Sequence, residues 1–315
     1  MSTPGPDHHK VTQDLLESCA TGDIARLRSA LTEAASCDPL SIPPAKRLLR
    51  DAARYGQADL IRYMFANLPE FQKDKPWWPA KPSAYEESQE FATNEDKKWG
   101  LIPDGTVTAA IEGANPAAVF AVYLDYGMKV DYWVDILGPL LSVAVGPLLS
   151  TEVERSLELV KLLLDQGADP NVQDYKGKWA IALAAGMSTP DMISLLVDNG
   201  ASIHGKNVLR GPVVDRNLAN VDRLLELGID INEDIKDMDW TKRPAIEISR
   251  GNVLHCAIRE KTFKKTHISL EEMVEYLLDR GVDSTIVDWE GKTPLQLARE
   301  KGEINLTQLL EQRSP

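Results

Sequence analysis

A helix that ends on glycine and runs into a short polar turn recurs along the second half of this chain. The copies are LELVKLLLDQGADPNVQD (157–174), LLVDNGASIHG (195–205), LLELGIDIN (224–232) and YLLDRGVDSTIVD (276–288). Their glycines, Gly167, Gly200, Gly228 and Gly281, stand 33, 28 and 53 residues apart, the last step being one period plus an insertion. Each glycine is expected just past a helix, where the chain turns left-handed and a Cβ is penalised. A single such unit cannot bury its own apolar face. Copies at this spacing must stack on one another, and that excludes most other folds.

The other half of the unit is clearest in DWEGKTPLQLAREKG (288–302). Asp288 to Gly291 reads as a turn. Thr293 is placed to cap a helix, Pro294 occupies its first position, and Gln296 completes a capping box. Gly302 ends that helix, and a second over 304–312 is expected to bring Ile304, Leu306, Leu309 and Leu310 back against it. GKWAIALAAG (177–186), NVLHCAI (252–258) and the looser GPLLSVAVG (138–146) are copies of the first helix, with apolar residues every three or four positions. Toward the N-terminus, helix pairs are expected over 14–31, broken at Gly22, over 45–68, broken at Gly56, and over 106–127, broken near Asn115-Pro116.

Thr293-Pro294-Leu295, Leu254-His255 and Gly167-Ala168-Asp169-Pro170-Asn171 together resemble the ankyrin repeat family. Trp179-Ala180 in place of Thr-Pro, and Gln296 where that family usually has His, depart from its pattern. The resemblance implies an all-α ankyrin-repeat solenoid, here of about eight helix-turn-helix units. It is clear from about residue 138 to the C-terminus and degenerate before that. It also implies that His255 is structural, bonding between adjacent turns. The expected organisation is a disordered tail over 1–11 and a single array over 12–315. The last helix turns Asn305, Gln308 and Glu311 outward, as an exposed array end requires.

Two long insertions break the period, at about 69–104 and 233–251. Proline spacing around Trp77 and Trp78 in the first favours extended backbone. Trp240 in the second lies beside Asp237 and Asp239, read as a solvated acidic loop. Tyr175 and Trp289 share one position at the tips of two turns, and Tyr132 and Trp133 precede another unit in a similar place. Aromatics beside charges are the residue types that anchor partners. Tyr132, Trp133, Tyr175, Trp289, Trp77, Trp78 and Trp240 are therefore the candidate partner-binding residues. Trp179, at a helix start, reads as buried between units.

Composition narrows the function. Lys and Arg total 35 and Asp and Glu 48, a formal charge of −13, which disfavours nucleic acid or an anionic membrane as partner. The basic pairs Lys97–Lys98, Lys242–Arg243 and Lys264–Lys265 are too short to make a stripe. The longest apolar run, Ile136–Leu149, is interrupted by Pro139 and Pro147 and reads as a buried helix. Cys19, Cys37 and Cys256 are odd in number and widely spaced, which suits cytosol or nucleus rather than a disulfide framework. The start MSTPGPDHHK has no apolar h-region, so no secretory signal is read there. No metal-ligand spacing, phosphate loop or nucleophile elbow is present, and Ser142 has no base to pair with; no cofactor and no catalytic residue is expected. The expected function is that of a monomeric, non-enzymatic scaffold or adaptor for a protein partner, bound by the concave face and turn tips. The alternative is a small-molecule binder or unusual enzyme whose groove is roofed by the Trp-rich insertions.

Overall fold

The computed structural model describes residues 7–38, 42–71, 105–134, 137–146, 153–174, 176–239, 241–262 and 266–313. Those residues form sixteen α-helices in eight consecutive pairs, as the repeat reading expects. The chain divides into two compact units, one of residues 1–169 with 173–176, the other of 170–172 with 177–315.

The first unit holds α1 (His8–Thr21), α2 (Ile24–Ala34), α3 (Ala45–Arg54), α4 (Ala58–Asn67), α5 (Gly105–Ile111), α6 (Pro116–Asp125), α7 (Leu140–Val145) and α8 (Val153–Asp165). Helix starts are set by side chains that accept from otherwise orphaned N–H groups. Asp7 caps α1, Asp23 caps α2, and Asn115 caps α6 with Pro116 behind it. The breaks expected at Gly22 and Gly56 are left-handed turns, with φ of 76° and 71°. First helices pack on first helices, α1 on α3 and α3 on α5, while α4 packs on α6 and α6 on α8. The core between these layers is apolar, from Leu15 and Leu27 through Leu48, Leu60 and Met64 to Phe120 and Tyr123.

The run Ile136–Leu149 does not form one long buried helix. Its described part, 137–146, passes through the short strand β2 (Gly138–Pro139), paired with the preceding β1 (Trp133–Val134), into the six-residue α7. Pro139 is extended at ψ 140° and sets the helix start, so residues 138–145 are buried but only partly helical.

The second unit holds α9 (Ala180–Met187), α10 (Pro190–Asp198), α11 (Arg210–Val214), α12 (Leu218–Glu226), α13 (Val253–Arg259), α14 (Leu270–Asp279), α15 (Pro294–Lys301) and α16 (Ile304–Arg313). Here α9, α11, α13 and α15 stack in order. Gly186 and Gly211 make the first of these contacts close: a Cβ on Gly211 would lie 2.7 Å from the Gly186 Cα. Asn220 stitches α12 to the preceding pair by donating to the carbonyls of Ala185 and Ser188, at 2.8 and 2.9 Å. Gly200, Gly228 and Gly281 have φ of 93°, 87° and 86°, as the left-handed helix ends require. Thr293 and Gln296 form the expected capping box and Gly302 the expected stop. In α16, Leu306 and Leu310 are buried and Leu309 half-buried, but Ile304 is exposed. Two residues before Leu306, it lies across the helix from the packed face.

The insertion at 233–251 is a β-hairpin, β3 (Lys236–Asp239) antiparallel to β4 (Ile246–Ser249). Ile235 and Gly251 extend the ladder with a 2.8 Å bond. The insertion at 69–104 is described only in its first turn, Pro69–Phe71, where Phe71 packs edge-on against Phe65. Trp77 and Trp78 lie outside the described residues, as do Tyr175 and Trp240. Among the described residues, no helix is long and apolar enough to cross a membrane.

Candidate functional site

The tips of the second unit are tied in register by side-chain carboxamides. Asn171, four residues after Gly167, donates to the Gly200 carbonyl at 3.0 Å and accepts from Ser202 N–H at 3.0 Å. Asn232, four residues after Gly228, makes the same pair with Gly281 and Asp283, at 3.4 and 2.7 Å. Asn207 holds the hairpin to the preceding tip through both backbone groups of Lys236. This recurrence of Asn was present in the sequence, at a fixed distance from the glycines, and is the one structural signal that reading of helix periods passes over.

Trp289 crowns the next tip. Its N–H donates to the Ser249 carbonyl at 3.1 Å, so the hairpin and this tip are joined. The ring is 40% exposed. It rests on two guanidinium groups, with the Arg259 Cζ 4.0 Å and the Arg250 Cζ 4.6 Å from its centroid. Beneath it, the Asp288 carboxylate is buried and pairs with Arg259 while accepting from the N–H groups of Glu290 and Lys292 at 2.8 and 3.0 Å. Burial opposes its ionisation, but the Lys292 and Glu290 amides and the Arg259 charge outweigh it and hold the carboxyl below its ordinary range. The indole is thus presented by a rigid base.

His255 anchors the same tip from below. Its Nε2 lies 3.0 Å from the Lys292 carbonyl and its Nδ1 3.2 Å from the Asn252 amide nitrogen. The Nδ1 also lies 3.0 Å from the Asn252 side-chain oxygen, so the ring is held between the start of its own helix and the next turn. This is the turn-to-turn bond that the family resemblance implies for His255. Burial pushes its pKa below the ordinary 6.5. The unfolded chain therefore binds the proton more readily. The stability this gives is complete above the unfolded value of about 6.5 and is lost as pH falls through the lower folded value. The urea midpoint is expected to drop between about pH 7.5 and pH 5, and His255→Asn is expected to flatten that drop. An unchanged slope in the variant would place the effect elsewhere.

The remaining sequence candidates fall unevenly. Trp133 is 36% exposed, in the first unit. Tyr132 is not a tip anchor: it is buried at 9%, because the pairing of Trp133 with Pro139 turns alternate side chains inward. Trp179 is half-buried, with the Lys206 Nζ 2.7 Å from its ring centroid. Asp237 is not part of a solvated acidic loop. It sits between Arg210 and Arg250, at 3.4 and 3.2 Å, while Asp239 closes its own turn on Thr241. Among the described residues, the large exposed apolar side chains of this region are Met238, Ile246, Val287 and Trp289.

An array of paired helices joined at tips by hydrogen-bonded turns defines a helical repeat protein, and sequence comparison specifies which. Residues 149–235 match the family model for ankyrin repeats in three copies. The putative ankyrin repeat protein YahD of Escherichia coli K12 is 27% identical over 183 residues, spanning 49% of this chain and 89% of the relative. Residues 149–235 of this chain are ankyrin repeats. Among solved structures, it is similar to the ankyrin repeat protein EF0377, with TM-score 0.47 and 21% identity over 62% of this chain and 90% of that one. It is also similar to the ankyrin repeat domain of Bcl-3, with TM-score 0.42 and 18% identity over 95% and 97%. Ankyrin repeats are in general protein-interaction scaffolds.

Proposed function

We propose that this chain is a scaffold or adaptor whose second unit binds a protein segment through the tip carrying Trp289. The observation that carries the reading is that exposed indole, fixed from three sides by Arg250, Arg259 and the backbone bond to Ser249. A large aromatic that loses little freedom on binding is the residue type that dominates interface energies. Met238 and Ile246, exposed on the adjoining hairpin, add apolar area, and Trp133 is an exposed tryptophan of the first unit. Three buried, free cysteines support a reducing compartment for this work.

The test is capture of partners from native lysate by the tagged wild type beside Trp289→Ala and Trp133→Ala, with circular dichroism confirming that each variant folds. Loss of an anchor of this kind is worth about 2 kcal/mol, roughly thirtyfold in affinity. A folded Trp289→Ala protein that retains every wild-type partner at wild-type yield would refute the reading.

A further inference from the structure

Behind the Trp289 tip lies a cavity of about 490 Å³ lined by Arg210, Arg250, Cys256, Arg259, Glu260 and Lys301. Four of its six lining side chains are cationic and one is anionic. They come from the start of α11, the residue before Gly251, the end of α13 and the end of α15.

The cations are fixed from their outer sides. Arg210 donates from Nε to Glu260 at 2.9 Å. Arg250 donates from Nη2 to Asp237 at 3.2 Å. Arg259 holds Asp288 and Glu290 through Nη2. Lys301 donates twice from Nζ, to the carbonyls of Ile258 and Arg259, both at 2.8 Å. Two guanidinium nitrogens are left over: the Arg250 Nε and the Arg259 Nη1 are buried and have no partner among the described residues. Buried N–H donors are normally satisfied, and these two belong to neighbouring arginines that both line the cavity. The Trp289 ring lies against both groups.

We propose that this cavity binds a phosphate-sized oxyanion, accepted by the Arg250 and Arg259 guanidinium groups with Lys301 beside them. Planar guanidinium donors match the spacing of phosphate oxygens. Burial and the neighbouring Arg259 charge push the Lys301 ammonium down from its ordinary range, which an anion at this position would relieve. Cys256 takes no part in covalent chemistry there. Burial and Glu260 push its thiol up to about 12, so it stays protonated. The cavity is larger than a bare phosphate. That leaves room for a phosphomonoester, carried either by a small metabolite or by a phosphorylated peptide side chain. The inference stands apart from the protein-binding role proposed for Trp289, because inorganic phosphate alone tests it.

Titration of the full chain with inorganic phosphate, followed by ³¹P line broadening and calorimetry at constant ionic strength in chloride, tests it. Saturable binding is expected in the wild type. Arg250→Gln and Lys301→Gln are each expected to weaken it at least tenfold, while Arg280→Gln, whose guanidinium pairs with Asp222 away from the cavity, leaves it unchanged. Arg250→Lys keeps the charge but not the fork, and is expected to fall between, which also covers a poorly folded Arg250→Gln. A sugar phosphate and a phosphoserine peptide, titrated in parallel, distinguish the two sources by which binds more tightly than phosphate itself. No saturable phosphate binding by the wild type would overturn the proposal. So would binding that Arg250→Gln and Arg250→Lys leave intact.

Discussion

Replacing Asp288 by alanine is expected to destabilise the second unit by about 3 kcal/mol, the loss typical of a buried ion pair with one member removed. Asp288 is a buried carboxylate that does three things at once. It closes its own turn by accepting from the N–H groups of Glu290 and Lys292, and it neutralises Arg259. Arg259 is itself largely buried, with 15% of its side chain exposed, and its second carboxylate, on Glu290, is more distant at 3.4 Å. Alanine leaves that guanidinium without its close counter-ion and leaves two turn amides unpaired. The double variant Asp288→Ala/Arg259→Met separates the contributions. If the uncompensated charge dominates, the double variant loses less than the sum of the singles. Urea denaturation of the four proteins measures this, and strict additivity would mean that the turn amides, not the ion pair, carry the loss. Since Asp288 is held below the ordinary carboxylate range, its contribution is present above the unfolded value of about 3.9 and disappears as pH falls through the folded one.

How much of this was legible in the sequence depends on how local each cause is. The cap at Thr293, the stop at Gly302 and the left-handed ends at Gly200, Gly228 and Gly281 are decided by residues within a few positions, and each was readable. The hairpin of 236–249 was less so. Ile246 and Ile248 alternate with polar residues, but KDMD offers no apolar partner face, and the strand is held by Asn207 from the preceding tip rather than by its own composition. Tyr132 and Trp133 are adjacent aromatics of equal promise in sequence. One is buried and one exposed, because the pairing that runs from Tyr132 into β1 turns neighbouring side chains to opposite faces. The basic cavity was not legible at all. Residues 210, 250, 259 and 301 are scattered over three repeats, and only the stacking of α11, α13 and α15 brings them together. The basic pairs that stand out in the sequence, such as Lys242–Arg243, form no part of that lining.

Gly251 is a position where a single methyl group is expected to do large damage. It joins the hairpin to α13 with φ of 80°, a conformation that costs about 1–2 kcal/mol for a residue with a Cβ. An added Cβ would lie 2.4 Å from the His255 Nδ1 and 2.7 Å from its Cγ. The ring cannot swing away cheaply, because its Nε2 is bonded to the Lys292 carbonyl and the residue is fully buried. Overpacking of this kind adds about 1–3 kcal/mol. Gly251→Ala is therefore expected to lower stability by about 3 kcal/mol, and to loosen both the hairpin, through the Ile235 bond, and the tip, through Lys292. The steric share is separable from the backbone share. In a His255→Ala background the ring is gone, and the cost of Gly251→Ala is expected to fall to about 1 kcal/mol, the left-handed penalty alone. If the cost is the same in both backgrounds, the ring is free to move, and the rigid base assigned to the Trp289 tip loses its support from below.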